Sequence, residues 1–349
     1  MRLVRQHDSR YQAIIRYVQQ PTWRRTRLSR VRLQTALHLV RFSCNARDVH
    51  LLRGLDAEAV AGAAAYHDRQ IMATVAAITG FLEVRAGEEL GHVPLERFKP
   101  EFVRGWKQAC LPFTSGGLNF REWARYADAA HIGKWALVVR SARDSVTGVD
   151  HFPIVARELE VATNGGRPMP AAWSECVVGT SRAAWSLNRA WHRMRDLAIA
   201  THASDKMPWW LRATRGDVAR VEHVGDRSQR MVSKTTTLHL LQEYSNGVRG
   251  EPVAQFVLKT AAAAGASGWT AQPWQEDGDL TLHDVNIIVC FCLRLGLPVP
   301  ETWQGRNTGA LISNNRGWDV LGGGWDRTGT APTIGGIAAT TTSSACYVR

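Results

Sequence analysis

The chain has 349 residues, 45% of them hydrophobic, and a net charge of +12. That apolar content is enough for a sizeable core and argues against disorder through most of the length, while the longest apolar run, Ile287–Leu293, is far shorter than the roughly 18 residues a bilayer crossing takes. Six scattered cysteines (44, 110, 176, 290, 292 and 346) without a secretory leader fit a reducing, intracellular setting, cytoplasmic or nuclear, better than a disulfide framework.

The charge is unevenly placed. Residues 1–53 hold twelve arginines against Asp8 and Asp48 and no lysine, a net of +10 out of +12. A polyanion would therefore meet the N-terminal end, and the planar fork of arginine suits phosphate oxygens. Tyr11, Ile14, Ile15 and Val18 recur at helical spacing before Pro21 stops the first helix. An Arg-rich amphipathic start is also the composition of a transit peptide, but serines are few and the charge continues beyond it. A second helix is expected from about Leu28 to Cys44, with Leu33, Ala36, Leu37, Val40 and Cys44 on one stripe and Arg27, Arg30 and Arg41 together on its flank. Arg24, Arg25, Arg27, Arg30, Arg32 and Arg41 are the candidate nucleic-acid contacts. Cations without interleaved acids repel one another unless a negative partner is near.

Asp56 is the expected N-cap of a third helix whose seam is Val60, Ala64, His67, Ile71, Val75 and Ile78, ending near Gly80. His67 reads as a core histidine, since no second ligand stands at i+4. A polar connector with Pro94 and Pro100 leads to Trp106 and to the stretch Leu111–Val139. There Gly116–Gly117 supply turn geometry, and Asn119 is the expected N-cap of an alanine-rich helix with Ala124, Ala127, His131 and Val138 on one face. Residues 144–151 read as a flexible segment and Asn164–Pro170 as a Gly/Pro patch. The next helix is expected to include Trp173, Trp185, Leu187, Trp191, Met194 and Leu197 and to end at Asp205–Pro208. Fourteen tryptophans raise the question whether any is an exposed stacking platform rather than core.

After a polar connection over 216–231, Lys234–Tyr244 and Val253–Ala264 read as a helical hairpin around Asn246–Gly250. A Gly-rich turn, GASGWTAQP at 265–273, precedes a capped helix starting near Thr281 and stopped by Gly296 and Pro298. Cys290-x-Cys292 lacks further ligands at metal spacing, so neither a metal nor a cofactor is expected. Beyond Trp303 the chain is Gly/Thr/Ser/Ala-rich and is expected to be disordered.

No phosphate-binding loop, H-E-x-x-H pair or G-x-S-x-G elbow is present. Tyr126-Ala127-Asp128-Ala129 approaches the Y-x-D-D signature of two-metal polymerases, but it offers one carboxylate and falls in a helix rather than in a hairpin turn. No catalytic residue is assigned.

Five stretches, in one order, resemble a single family. They are Leu37–Leu55 (LHLVRFSCNARDVHLLRGL); His67–Asp68 leading into an apolar helix; Leu111-Pro112 followed by Gly116-Gly117-Leu118; GASGWTAQP at 265–273; and Leu293-Arg294-Leu295-Gly296-Leu297-Pro298. Together they are similar to the region that comes after the palm in reverse transcriptases of non-LTR retroelements, where the third stretch has the form L-P-x-x-x-G-G-L-G and the fourth G-A-x-x-W-L-x-x-P. Asn119 stands where that loop carries its last glycine, and Thr270 replaces the leucine after the tryptophan. The Cys/His-rich segment that often comes after Pro300 in the family has no counterpart in Gly305–Gly324.

The resemblance implies a thumb-like helical region whose palm and fingers, with their paired aspartates, would precede residue 1 or be supplied by a separate palm chain. The expectation is a mainly α protein, an irregular multi-helix bundle. It would have a basic helical arm at 1–53, thumb-like helices at 54–145, a helical region at 146–303 and a low-complexity tail at 304–349. Functionally it would be a non-catalytic fragment that binds RNA or DNA backbone and no membrane. A repurposed protein-interaction scaffold and a degenerate open reading frame are the alternatives.

Overall fold

A computed structural model describes residues 8–19, 33–45, 49–85, 87–143, 151–206, 228–263 and 284–300. Within them the protein is mainly α-helical and contains no strand, as its sequence predicts. The helices are α1 (Asp8–Gln19), α2 (Leu33–His38, continued by a π-helical turn Leu39–Cys44), α3 (Val49–Gly54), α4 (Ala57–Thr79), α5 (Pro100–Ala109), α6 (Trp123–Arg143), α7 (Phe152–Thr163), α8 (Arg182–Ala200), α9 (Ser228–Gly247), α10 (Pro252–Ala261) and α11 (Asp284–Leu295). The expected tail, the 265–273 turn and the start near Thr281 lie outside the described residues. No described helix is long and apolar enough to cross a membrane.

The chain folds into two compact units, neither continuous in sequence. Among the described residues, the first takes 49–68 and 121–247 and the second takes 8–45, 69–120 and 248–300. The break at Asp68–Arg69 falls inside α4, which contributes its first half to one unit and its second half to the other.

In the first unit α6 packs with α3, α7, α8 and α9, and α8 packs with α7 and α9. One apolar cluster joins Ile132, Val139, Leu159, Leu187, Met194 and Val232; a smaller one joins Leu52, Val60, Ala64, Trp123, Ala127 and Ala130. The close approach expected of the small α6 face is made at Gly133, where an added Cβ would lie 2.5 Å from Cβ of Gln229 on α9. Ala127 and His131 are buried as anticipated, whereas Ala124 is exposed.

Two helices of this unit are capped by the side chain that precedes them. Asp56 caps α4 by accepting the Glu58 N–H at 2.9 Å, and Ser181 caps α8 by accepting the Ala184 N–H at 3.0 Å. Asn119 does not cap α6. That helix begins at Trp123, and its cap is the carboxylate of Asp68 on α4, which accepts the N–H groups of Trp123 at 2.6 Å and Ala124 at 2.9 Å. His67, next to it, is 1% exposed and stacks on the Trp123 ring at 3.6 Å, a core histidine as expected. Trp173 lies in a 3-10 turn, not in the long helix, which starts only at Arg182. Helix α7 occupies the stretch between the 144–151 segment and the Gly/Pro patch, for which the sequence reading assigns no element.

The second unit buries Tyr11, Leu33, Ile71, Ile78, Phe102, Phe120 and Phe291 in one core. Each such side chain contributes roughly 1.5–3 kcal/mol by leaving water. The stripes of α1 and α4 fall where periodicity puts them, and α4 stops at Gly80 with φ 86°. Helix α5 begins on Pro100 and packs on α11, whose end is marked by Gly296 at φ 62°.

Candidate nucleic-acid interface

Of the six candidate contacts, Arg24, Arg25, Arg27, Arg30 and Arg32 lie outside the described residues. Arg41 lies within them, on the π-helical turn that ends α2. There the Asn45 N–H donates to the Val40 carbonyl, five residues back. A π turn inserts extra backbone and rotates the side chains beyond it out of the α-helical register, a feature frequent at functional sites.

Arg41 is half-buried between two aromatic rings: its Cζ sits 3.9 Å from the Phe42 ring centroid and 4.6 Å from that of Phe113. Its Nε is buried without a hydrogen-bond partner. Burial with no compensating carboxylate lowers its pKa to about 10, which still leaves it charged at neutral pH. Phe42 is 54% exposed, with the centroid of the His38 ring 5.3 Å from its own.

Phe113 belongs to the loop 111–120, and its placement is set by residues distant in sequence. Arg294 of α11, 5% exposed, donates from Nε to the Gly117 carbonyl at 2.9 Å and from Nη2 to the Phe113 carbonyl at 3.1 Å, with Cζ 5.5 Å from the Phe113 ring. Gln108, fully buried, donates to the carbonyls of Arg294 at 2.7 Å and Gly116 at 3.1 Å. Burial lowers the pKa of Arg294 to about 10 as well, but its donors are engaged by backbone oxygens. Gly117 is indispensable to this turn, because a Cβ there would fall 1.9 Å from the Leu111 carbonyl oxygen. Asn119 takes φ 59°, the left-handed conformation that asparagine tolerates best after glycine. The stretches 37–44, 111–118 and 293–298 thus meet around one ring, Phe113.

Among the described residues tryptophan furnishes no open platform. Trp106, Trp123, Trp135, Trp185 and Trp191 are buried and Trp173 is half-buried, while Trp23, Trp209, Trp210, Trp269, Trp274, Trp303, Trp318 and Trp325 lie outside those residues. The exposed aromatic beside a cation is Phe42, which composition did not single out. Its signal was the i+1 neighbour relation to Arg41 inside the leucine-rich stretch.

Two other clusters carry chemistry-bearing side chains, both in the first unit. Asp128 of the Tyr126–Ala129 stretch is held by Arg193, whose Nε and Nη2 reach its two oxygens at 2.8 and 2.6 Å. Arg193 Nη1 also donates to Glu58 at 2.7 Å, and hydrogen bonds to Asp128 first, with those to Glu58, raise the Arg193 pKa against burial. The Glu58 carboxyl is held below its ordinary value: burial opposes its charge, but Arg189 and Arg193 outweigh that cost.

The second cluster joins serine, histidine and aspartate. Ser186 Oγ donates to Asp56 Oδ1 at 2.8 Å and lies 3.2 Å from His131 Nε2, while His131 Nδ1 faces the Leu55 carbonyl at 3.1 Å and must donate to it. In a nucleophilic triad the acid orients the imidazole and the imidazole takes the serine proton. Here the acid binds the serine, and Ser186 is 1% exposed, so the cluster ties α4, α6 and α8 together instead of presenting a nucleophile. Among the described residues no three His, Cys, Asp or Glu side chains gather as metal ligands. Cys290 and Cys292, two apart on a helix, project to different sides. No family model matches the chain, and no curated protein or solved structure matches it either.

Proposed function

We propose that this chain is a non-catalytic, mostly helical portion of a reverse-transcriptase-like protein, the region beyond the palm, and that it binds RNA or DNA through phosphate contacts from its arginine-rich end. The observation that carries the reading is Arg41: a cation of the leucine-rich stretch, half-buried on aromatic rings, with burial uncompensated by any carboxylate. An anionic partner would remove that imbalance. The reading is further supported by the meeting of three resembling stretches at Phe113, and by the left-handed Asn119 at the position of a family glycine.

The test is anisotropy of labelled RNA and DNA with the purified chain across a salt series. Binding is expected to weaken with salt with a log–log slope of several units, and replacing Arg24, Arg25, Arg27 and Arg30 by Gln should reduce both affinity and slope. Absence of binding at low salt would sink the reading. A primer-extension assay on an RNA template with Mg²⁺ is expected to show no product, and dose-dependent extension would overturn the non-catalytic part. A second reading, a helical scaffold for a protein partner, is favoured by Val253 and Phe256, half-exposed on α10. It predicts RNA affinity unchanged in the Gln variant and a protein that co-purifies stably.

A further inference from the structure

The exposed ring of Phe42 and the hydrogen-bond capacity of Arg41 are adjacent, and they ask for different things. An aromatic side chain on a residue that is 54% exposed gains from stacking on a flat, apolar surface. A guanidinium half-buried on two rings with no carboxylate beside it gains from an anion with several acceptor oxygens at its outer edge. A carboxylate ligand would answer only the second demand, and an apolar peptide only the first. A nucleotide answers both, because its base and its phosphate are separated by a single sugar.

The neighbouring geometry makes Arg41 the available cation. Arg294 approaches the same Phe113 ring from a distant chain segment, but its Nε and Nη2 are engaged by the Gly117 and Phe113 carbonyls. Arg41 stacks over Phe42 at 3.9 Å and the His38 ring lies 5.3 Å from it, yet Phe42 remains 54% exposed. The π-helical turn Leu39–Cys44 presents this pair at the end of α2, whose other face is fixed in the core by Leu33, Ala36, Leu37 and Val40. The platform therefore stands on a helix anchored in the core.

We propose that Phe42 and Arg41 form a site for one unpaired nucleotide, the base stacking on Phe42 and its phosphate taken by Arg41. This rests on the nucleic-acid reading above and sharpens it, because a duplex keeps its bases stacked on one another and offers Phe42 no face. Arm and platform then divide the work: the arginines upstream bind backbone charge of any form, and Phe42 selects single strands.

The experiment uses the full chain and two probes of the same sequence, a single-stranded 12-mer with one 2-aminopurine and its blunt duplex, at one fixed salt concentration. The wild type is expected to bind the single strand at least about tenfold more tightly than the duplex and to quench the 2-aminopurine. Phe42→Ala should lose about tenfold on the single strand, abolish quenching and leave duplex binding unchanged, while Phe42→Tyr keeps both the single-strand affinity and the quenching. Phe42 is exposed, so its replacement leaves the core intact, and an unchanged thermal melt of the variants confirms it. Equal single-strand affinity in the wild type and Phe42→Ala, or a preference for the duplex, overturns the site while the phosphate-binding reading stands. Binding of neither probe overturns both.

Discussion

Asp68 on α4 accepts the backbone N–H groups of Trp123 and Ala124, with a sequence separation of 55 residues to the first. One carboxylate thereby satisfies two of the orphan donors at the start of a 21-residue helix. The negative charge also sits at the positive end of the helix.

Removing that cap is expected to destabilise the first unit. Asp68→Ala should cost about 1–2 kcal/mol, and Asp68→Asn less, since the amide oxygen keeps one of the two bonds. The measurement is urea denaturation read by tryptophan fluorescence, to which Trp123 contributes with its ring stacked on the adjacent His67. A midpoint identical to wild type in the Ala variant would refute the cap's role.

The loop around Phe113 separates two kinds of backbone demand. Gly117→Ala places a methyl group against the Leu111 carbonyl at 1.9 Å and is expected to cost more than about 3 kcal/mol or to prevent folding. Asn119, at φ 59°, should lose about 1 kcal/mol when replaced by Ala and little when replaced by Gly. Thermal melts of the three variants check the ranking. Asn119→Ala melting above Asn119→Gly would contradict the left-handed assignment.

Gln108 joins α5, the loop and α11 through the two carbonyls its amide reaches. Gln108→Leu fills the same volume but leaves both oxygens buried with one fewer donor, and should cost about 2–3 kcal/mol. Unchanged stability in the Leu variant would show that the hydrogen bonds are not needed.

Acid should loosen the first unit in two stages. Burial holds the His131 imidazole below the ordinary value of 6.5, with Asp56 and Asp128 opposing and Lys134 adding to the effect. The folded state then binds fewer protons than the unfolded one, so this contribution is complete above pH 6.5 and is lost as pH falls through the lower folded value. His192, lowered chiefly by burial, acts in the same direction. Asp56 and Glu58, whose burial is outweighed by hydrogen bonds that hold them below 3.8 and 4.5, add a second loss at more acid pH. Urea midpoints are expected to drop from about pH 7.5 to about 5, with a shallower drop in His131→Gln. Identical slopes in wild type and variant would exclude His131 as a source.

Helix positions were legible where the signal is local. Tyr11, Ile15 and Val18, the seam from Val60 to Ile78, the Asp56 cap and the Gly296 stop all act within a few residues, and the helices stand where those residues put them. Helix α7 carried the same kind of signal in Phe152, Val155, Leu159 and Ala162, with Pro153 in its first turn. It is short and lies between two stretches whose glycines and prolines signal loops, so its period was masked by its flanks.

What sequence alone determined about this protein is its α-helical class, the seams that form its cores, and the concentration of positive charge before Arg53. What only the tertiary structure decided is which side chains answer one another across the fold. Asp68 rather than Asn119 caps α6, Arg294 rather than a local residue pins the Phe113 loop, and Arg41 comes to rest between two aromatic rings. Periodicity and caps are fixed by neighbours along the helix, whereas these pairings depend on where distant segments meet, and no local pattern encodes that meeting.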